Sequence, residues 1–93
     1  MKYTITKYTY DRAKELGVVV KPSTVKGKKI DVFNKQGEKL ASIGALGMND
    51  YPTWIKKMGK TFADFRRKNY KLRHENDRHV KGSAGYYADQ LLW

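Results

Sequence analysis

The chain has no cysteine, which excludes disulfide bonds, thiolate metal sites and cysteine catalysis. It also has no apolar run near the roughly 18 residues that a membrane span requires. Its first residues are polar and aromatic, unlike a secretory signal peptide. We therefore expect an intracellular protein that is not secreted and has no membrane partner.

Acidic residues are scarce as well. Nine Asp and Glu stand against 20 Lys and Arg, which gives a net charge of +11. Such a charge attracts nucleic acid, anionic membranes or acidic protein surfaces, although lysines also serve solubility alone. With 40% hydrophobic and 13% aromatic residues, the chain is richer in core-forming side chains than disordered proteins are. We expect one folded domain over residues 1–93.

Motifs that carry catalysis are missing too. The sequence has no Walker loop, no Gly-x-Ser-x-Gly motif and no carboxylate pair in an apolar setting. His74, His79 and Asp77 are poorly spaced for a metal ion. We therefore expect no enzymatic activity, no cofactor and no metal site.

The first part of the chain alternates between strand and helix signals. Residues 3–8 alternate as a short strand does, and residues 10–16 have the pattern of a two-turn helix. Thr9 or Asp11 is available as its N-cap, and Gly17 is the expected stop. A short β-prone run of valines follows.

The clearest local pattern is a β-hairpin over residues 29–43, with a polar loop that ends in glycine. Four residues are predicted to share one face of the hairpin: Ile30, Val32, Leu40 and Ser42. Phe33 and Ile43 have the opposite parity, so either both faces are covered or a bulge intervenes.

The remainder is predicted to be helical. Asp50 is the expected N-cap of a helix that ends at Gly59. Thr61 begins a pattern like a capping box, from which a long helix is predicted to run to about Asp77. A last helix is predicted over residues 86–93.

These elements predict an α+β fold. The small antiparallel sheet contains the 29–43 hairpin and is packed by the C-terminal helices. The N-terminal helix or strand and the hairpin lie within residues 1–47, and residues 48–93 form the helical part. The two tryptophans, Trp54 and Trp93, are interpreted as core residues.

The long helix carries the main functional prediction. Its apolar stripe is expected to be buried with the end of the chain: Phe62, Phe65, Leu72, Leu91, Leu92 and Trp93. A broad basic face lies on the other side of the helix, where arginine forks and lysines suit phosphate groups and a tyrosine suits a base. The alternative interpretation is a solvated charged face.

A second basic cluster enters the hairpin at residues 26–29, and an ordinary turn is an equally good interpretation of it. Lys56, Lys57 and Lys60 are interpreted as a solvated helix end. The predicted nucleic-acid-binding residues are Arg66, Arg67, Tyr70, Lys71, Arg73, His74, Arg78, Lys81, Lys26, Lys28 and Lys29.

Several stretches together resemble a known family. They are residues 28–33, 41–45 and 50–53, the spaced pattern of residues 66–74 and the ending 82–93. They are similar to small basic proteins of unknown function that nucleocytoplasmic large DNA viruses and related viruses encode. The resemblance implies a viral origin and residence in a virus factory, the host nucleus or cytoplasm, or the virion. It implies no catalytic residue and no cofactor.

Two functions follow as expectations. The first is binding of DNA or RNA through the basic helix, without sequence specificity. The alternative is a structural virion protein, a minor capsid or cement component whose basic face contacts other viral capsid proteins. Salt separates them, because phosphate binding weakens steeply with salt.

Overall fold

The computed structural model describes residues 3–93, so residues 1 and 2 of the predicted domain lie outside the described residues. It confirms the α+β fold: a three-stranded antiparallel sheet in the order β1-β2-β3 packs against helices. The elements, in chain order, are α1 (Lys7–Leu16), β1 (Val19–Pro22), β2 (Lys28–Phe33), β3 (Lys39–Ala45), α2 (Tyr51–Met58), α3 (Lys60–Arg73) and α4 (Ala84–Leu92).

The predicted strand over residues 3–8 is wrong, because α1 begins at Lys7. The Thr6 side chain caps the helix by accepting a hydrogen bond from the Thr9 backbone N–H at 3.3 Å. The helix therefore starts one turn before the expected caps. Gly17 ends it as predicted, in the left-handed conformation with φ 75° that glycine adopts without strain.

The predicted hairpin is confirmed. It contains a β-bulge, which was one of the two alternatives for this segment. The register of β2 and β3 shifts between Val32 and Phe33. Ile30 therefore pairs with Ile43 and Val32 pairs with Ala41. The predicted face that combined Ile30 and Val32 with Leu40 and Ser42 is wrong, because Ser42 pairs with Asp31 on the opposite face and Leu40 is exposed.

The helical half begins as predicted. Asp50 caps α2 by accepting from the Thr53 backbone N–H at 3.1 Å, and Gly59 ends the helix. Helix α3 starts immediately after Gly59 and has no side-chain N-cap, so the predicted capping box at Thr61 is wrong. The helix ends at Arg73 rather than near Asp77, and turns connect it to α4.

Helix α4 joins the two ends of the chain. The Thr9 hydroxyl donates to the Leu91 carbonyl at 2.8 Å, and Arg12 donates to the Gln90 carbonyl at 3.0 Å. Helix α4 also packs on β3. The hydrophobic core combines the sheet face, through Val20, Ile30, Val32 and Ile43, with Leu91, Leu92 and Trp93. The predicted burial of these last three residues is confirmed.

Within residues 3–93, no helix is long and apolar enough to span a membrane.

Candidate nucleic-acid interface

Helix α3 faces the core with a different side from the one predicted. Ala63 is fully buried. Further along the same side, the Tyr70 ring stacks on Trp93 with centroids 4.4 Å apart and planes 7° from parallel. The centre of the His74 ring lies 4.4 Å from that of the Tyr70 ring. A small residue and an aromatic stack therefore form the buried side of α3.

The predicted burial of the large apolar residues of α3 is wrong for Phe65 and Leu72. Their exposed fractions are 58% and 65%. Phe62 is half-buried and packs on Trp54 at a centroid distance of 5.1 Å. Two stripes of α3 satisfy helical spacing, and the stripe that packs inward contains Ala63 and Tyr70, whose ring stacks on Trp93. Phe65 and Leu72 are left on the outward side.

Three of the predicted basic binding residues, Arg67, Lys71 and Arg78, contact other parts of the protein instead of forming an exposed face. Lys71 Nζ lies 2.8 Å from Asp89 Oδ1, and Asp89 is only 2% exposed. Arg78 contacts the same carboxylate at 3.8 Å and Glu75 at 2.9 Å. The Arg67 guanidinium lies 4.6 Å from the centre of the Tyr51 ring. These cations are engaged within the protein.

Lys29 is also internal. The residue is 4% exposed, and its Nζ lies 3.0 Å from Asp50 Oδ2. Asp50 accepts further hydrogen bonds from the Tyr3 and Thr53 hydroxyls, each at 2.5 Å. Burial alone raises the pKa of the Asp50 carboxyl, but these hydrogen bonds and the Lys29 charge outweigh it and hold the pKa below its usual value. Phosphate contact by Lys29 requires this pair to break.

A second buried carboxylate, that of Asp31, is also held by hydrogen bonds. Asp31 is 2% exposed and accepts hydrogen bonds from the Ser23 and Ser42 hydroxyls at 2.5 and 2.7 Å. Burial raises the pKa of Asp31, but these hydrogen bonds and those from Thr24 and Lys39 lower it to about 2. Asp31 is therefore ionised at neutral pH, and its negative charge is already counted in the net charge of +11.

A cavity of about 430 Å³ opens between the β3–α2 connection, α3 and α4. Its wall contains the three aromatic rings of Trp54, Tyr70 and Trp93. Gly44 shapes one side, since a Cβ there would lie 2.8 Å from Leu92 Cδ1, and its φ of 76° also favours glycine. Both tryptophans were predicted to be core residues, but only Trp93 is buried.

Three cations surround this cavity, and we call them the cavity rim: Lys57, Arg66 and Arg73. Arg66 and Arg73 line the cavity, and Lys57 donates to the side chain of Asn49, which also lines it, at 3.3 Å. Within residues 3–93, no carboxylate lies within ion-pair distance of any rim cation. The rim therefore carries uncompensated positive charge.

Of the predicted binding residues, the structure brings Arg66, Arg73, Tyr70, His74 and Lys29 to this one cavity. The others lie elsewhere: Lys26, Lys28 and Lys81 are exposed on loops or strand β2, and Arg67, Lys71 and Arg78 are engaged internally. Sequence reasoning missed Lys57, Trp54 and Trp93 as parts of the site. Their own segments carry no signal that α4 and the β3–α2 connection converge on α3.

The wall also contains a polar atom without a partner. The Trp54 Nε1 is buried and makes no hydrogen bond within residues 3–93. Buried donors are paired in the great majority of cases. In the same described range, no three His, Asp or Glu side chains are placed to hold a metal ion.

Comparison of the chain with protein-family models, with curated proteins and with solved structures finds no match. The resemblance to viral proteins therefore stays a prediction.

Proposed function

We propose that this protein binds nucleic acid, DNA or RNA, through the cavity rim and without sequence specificity. The observation that carries the proposal is the group of three uncompensated cations, two of them arginines, around an aromatic-lined opening. Arginine forks bind phosphate oxygens in bidentate geometry, and lysine adds a point charge. Such contacts position a nucleic acid without reading its bases.

The overall charge supports the same function. The chain carries +11, and its buried carboxylates are each held by internal donors. A net charge of +11 attracts a polyanion at long range, while the rim provides the local contacts. If the rim engages about three phosphates of a duplex, the log–log salt slope is about −3.

Fluorescence anisotropy with a labelled random duplex, titrated over a range of salt, tests the proposal. In Arg66→Gln/Arg73→Gln, we expect weaker binding to every sequence and a salt slope smaller by about 2, because each phosphate contact contributes about 1. The matched control is Lys14→Gln/Lys35→Gln, which removes the same charge from exposed lysines of α1 and the hairpin loop. Equal losses in both variants, or no binding by the wild type at low salt, would contradict the proposal.

The outward side of α3 favours a second function, the structural virion protein that contacts other proteins. Phe65 and Leu72 are exposed there, and Met58 at the end of α2 is 56% exposed. A contact made by this apolar surface is expected to survive high salt, unlike phosphate binding. Phe65→Glu/Leu72→Glu is expected to abolish such a contact, and a contact that persists in this variant would exclude the surface.

A further inference from the structure

The cavity differs from a flat phosphate-binding surface in having depth and aromatic walls. Its volume of about 430 Å³ lies within the range of small-ligand pockets, about 300–1,000 Å³. A base that is stacked and paired inside a duplex cannot enter such a recess. A base of a single strand is already unstacked and can enter without the cost of opening a helix.

Aromatic rings that stack on one another form part of the cavity wall. Trp93 and Tyr70 are nearly parallel, and the His74 ring is tilted by only 31° from Tyr70. All three residues line the cavity. Every nucleobase has a π face, so stacking on aromatic side chains tolerates any sequence. The buried Trp54 Nε1, which has no partner in residues 3–93, belongs to the same wall.

The charges are placed around this wall rather than inside it. Lys29 at the cavity is balanced by Asp50 at 3.0 Å, so this pair adds no net charge. The uncompensated cations are those of the rim, and the Arg66 guanidinium lies 5.0 Å from the centre of the Trp54 ring. Single-strand binding sites combine aromatic stacking and backbone charge contacts with cation–π contributions from arginine.

We infer that the cavity accepts one unstacked nucleobase of a single strand, while the rim holds the phosphates that flank it. This inference rests on the proposed function and extends it to a preference for single-stranded over duplex nucleic acid. The ligand class is a nucleotide unit within a strand, recognised by ring stacking and phosphate charge and not by base identity.

Two single-stranded oligonucleotides of equal length test the inference, one with bases and one with abasic sites throughout its central part. Both carry the same phosphates, so their affinity ratio reports the bases alone. We expect the wild type to bind the strand with bases about tenfold more tightly, since stacking of one base contributes about that factor. Quenching of tryptophan fluorescence is expected with the base-containing strand only, because Trp54 and Trp93 line the cavity.

Ala88→Leu fills the cavity from α4, since Ala88 lines it. The ratio between the two strands is expected to fall toward one. Ala84→Leu is the matched control, because it makes the same change at an exposed position of the same helix. Its ratio is expected to stay near tenfold. His74→Ala, which removes the outer ring of the stack, provides a second variant with a lower ratio if Ala88→Leu does not fold.

The outcomes separate the two proposals. Equal affinity of the wild type for both strands, or an unchanged ratio in folded Ala88→Leu and His74→Ala, overturns the base-binding inference and leaves phosphate binding by the rim standing. Arg66→Gln/Arg73→Gln is expected to weaken binding of both strands. If neither strand responds to that variant, the proposed function and the inference both fail.

Discussion

The inward and outward sides of α3 differ in a way that their amino-acid composition does not predict. The inward side contains cationic and aromatic residues, most of which are packed or paired, as in the Lys71–Asp89 contact of 2.8 Å. The outward side contains Phe65 and Leu72, which are largely exposed. Long polar side chains can cover apolar surface with their stems and still satisfy their charges. The comparison shows that partners on neighbouring helices, rather than residue type, decide which side of α3 is buried.

The largest loss of stability is expected for a substitution in the aromatic stack on the inward side of α3. Tyr70→Ala removes the ring that lies between Trp93 and His74, and should lower the free energy of unfolding by about 3 kcal/mol. Chemical denaturation followed by circular dichroism measures it. A loss below about 1 kcal/mol would show that the stack contributes little to the inward side.

Tyr70→Phe is the control, because it keeps the ring and removes only the hydroxyl. Burial raises the pKa of Tyr70 to about 12, while an unfolded tyrosine ionises near 10. The folded state thus favours the protonated phenol, and its contribution to stability is lost as pH rises from 10 through 12. Tyr70→Phe is expected to lose less stability than the wild type over that interval.

A smaller effect is expected for the ionic part of the inward side. Lys71→Ala leaves the Asp89 carboxylate, 2% exposed, with Arg78 at 3.8 Å as its remaining cation. We expect a loss of about 1–3 kcal/mol, because a buried charge that loses a partner keeps its desolvation cost. Lys68→Ala on the exposed side of the same helix should change stability by less than about 0.5 kcal/mol. If the two variants melt at the same temperature, the ion pair of Lys71 with Asp89 does not stabilise the protein.

The smallest effect is expected on the outward side. Phe65→Ala should change the free energy of unfolding by no more than about 0.5 kcal/mol, because the ring is 58% exposed and its nearest aromatic neighbour, Phe62, is 6.4 Å away. Sequence reasoning alone leads to about 3–5 kcal/mol, the cost for a buried ring. Urea denaturation distinguishes the two values directly, and a loss in the higher range would return Phe65 to the core.

Most of the fold could be predicted from residues that lie close together in the sequence. Gly17, Asp50 and Gly59 each act within one turn of their own position, so these three helix boundaries and the α+β class were predictable from sequence. The hairpin was predictable for the same reason, since its loop and both strands are contiguous. The bulge at Val32 was recognisable only as a conflict of parity, and pairing was needed to resolve it.

The candidate site was predictable only in part, because it depends on contacts between distant segments. Taken alone, the sequence of residues 66–81 predicts a basic helix. It does not indicate that Asp89 will bind Lys71 and Arg78. The choice between the two stripes of α3 depends on Trp93, which follows the helix in the chain. Arg66 and Arg73 were identified from sequence, whereas Lys57 was interpreted as an ordinary helix end.

The attachment of α4 has a consequence for how the molecule forms. Sheet pairing and the α2–α3 pair connect segments that are close in the chain, but the hydrogen bonds from α1 to α4 span 78 and 82 residues. Contacts of such separation close large loops and slow folding. The cavity uses Ala88, Leu92 and Trp93 as part of its wall, so it exists only once α4 has docked. A chain in which α4 has not yet docked therefore carries the same net charge but lacks the cavity.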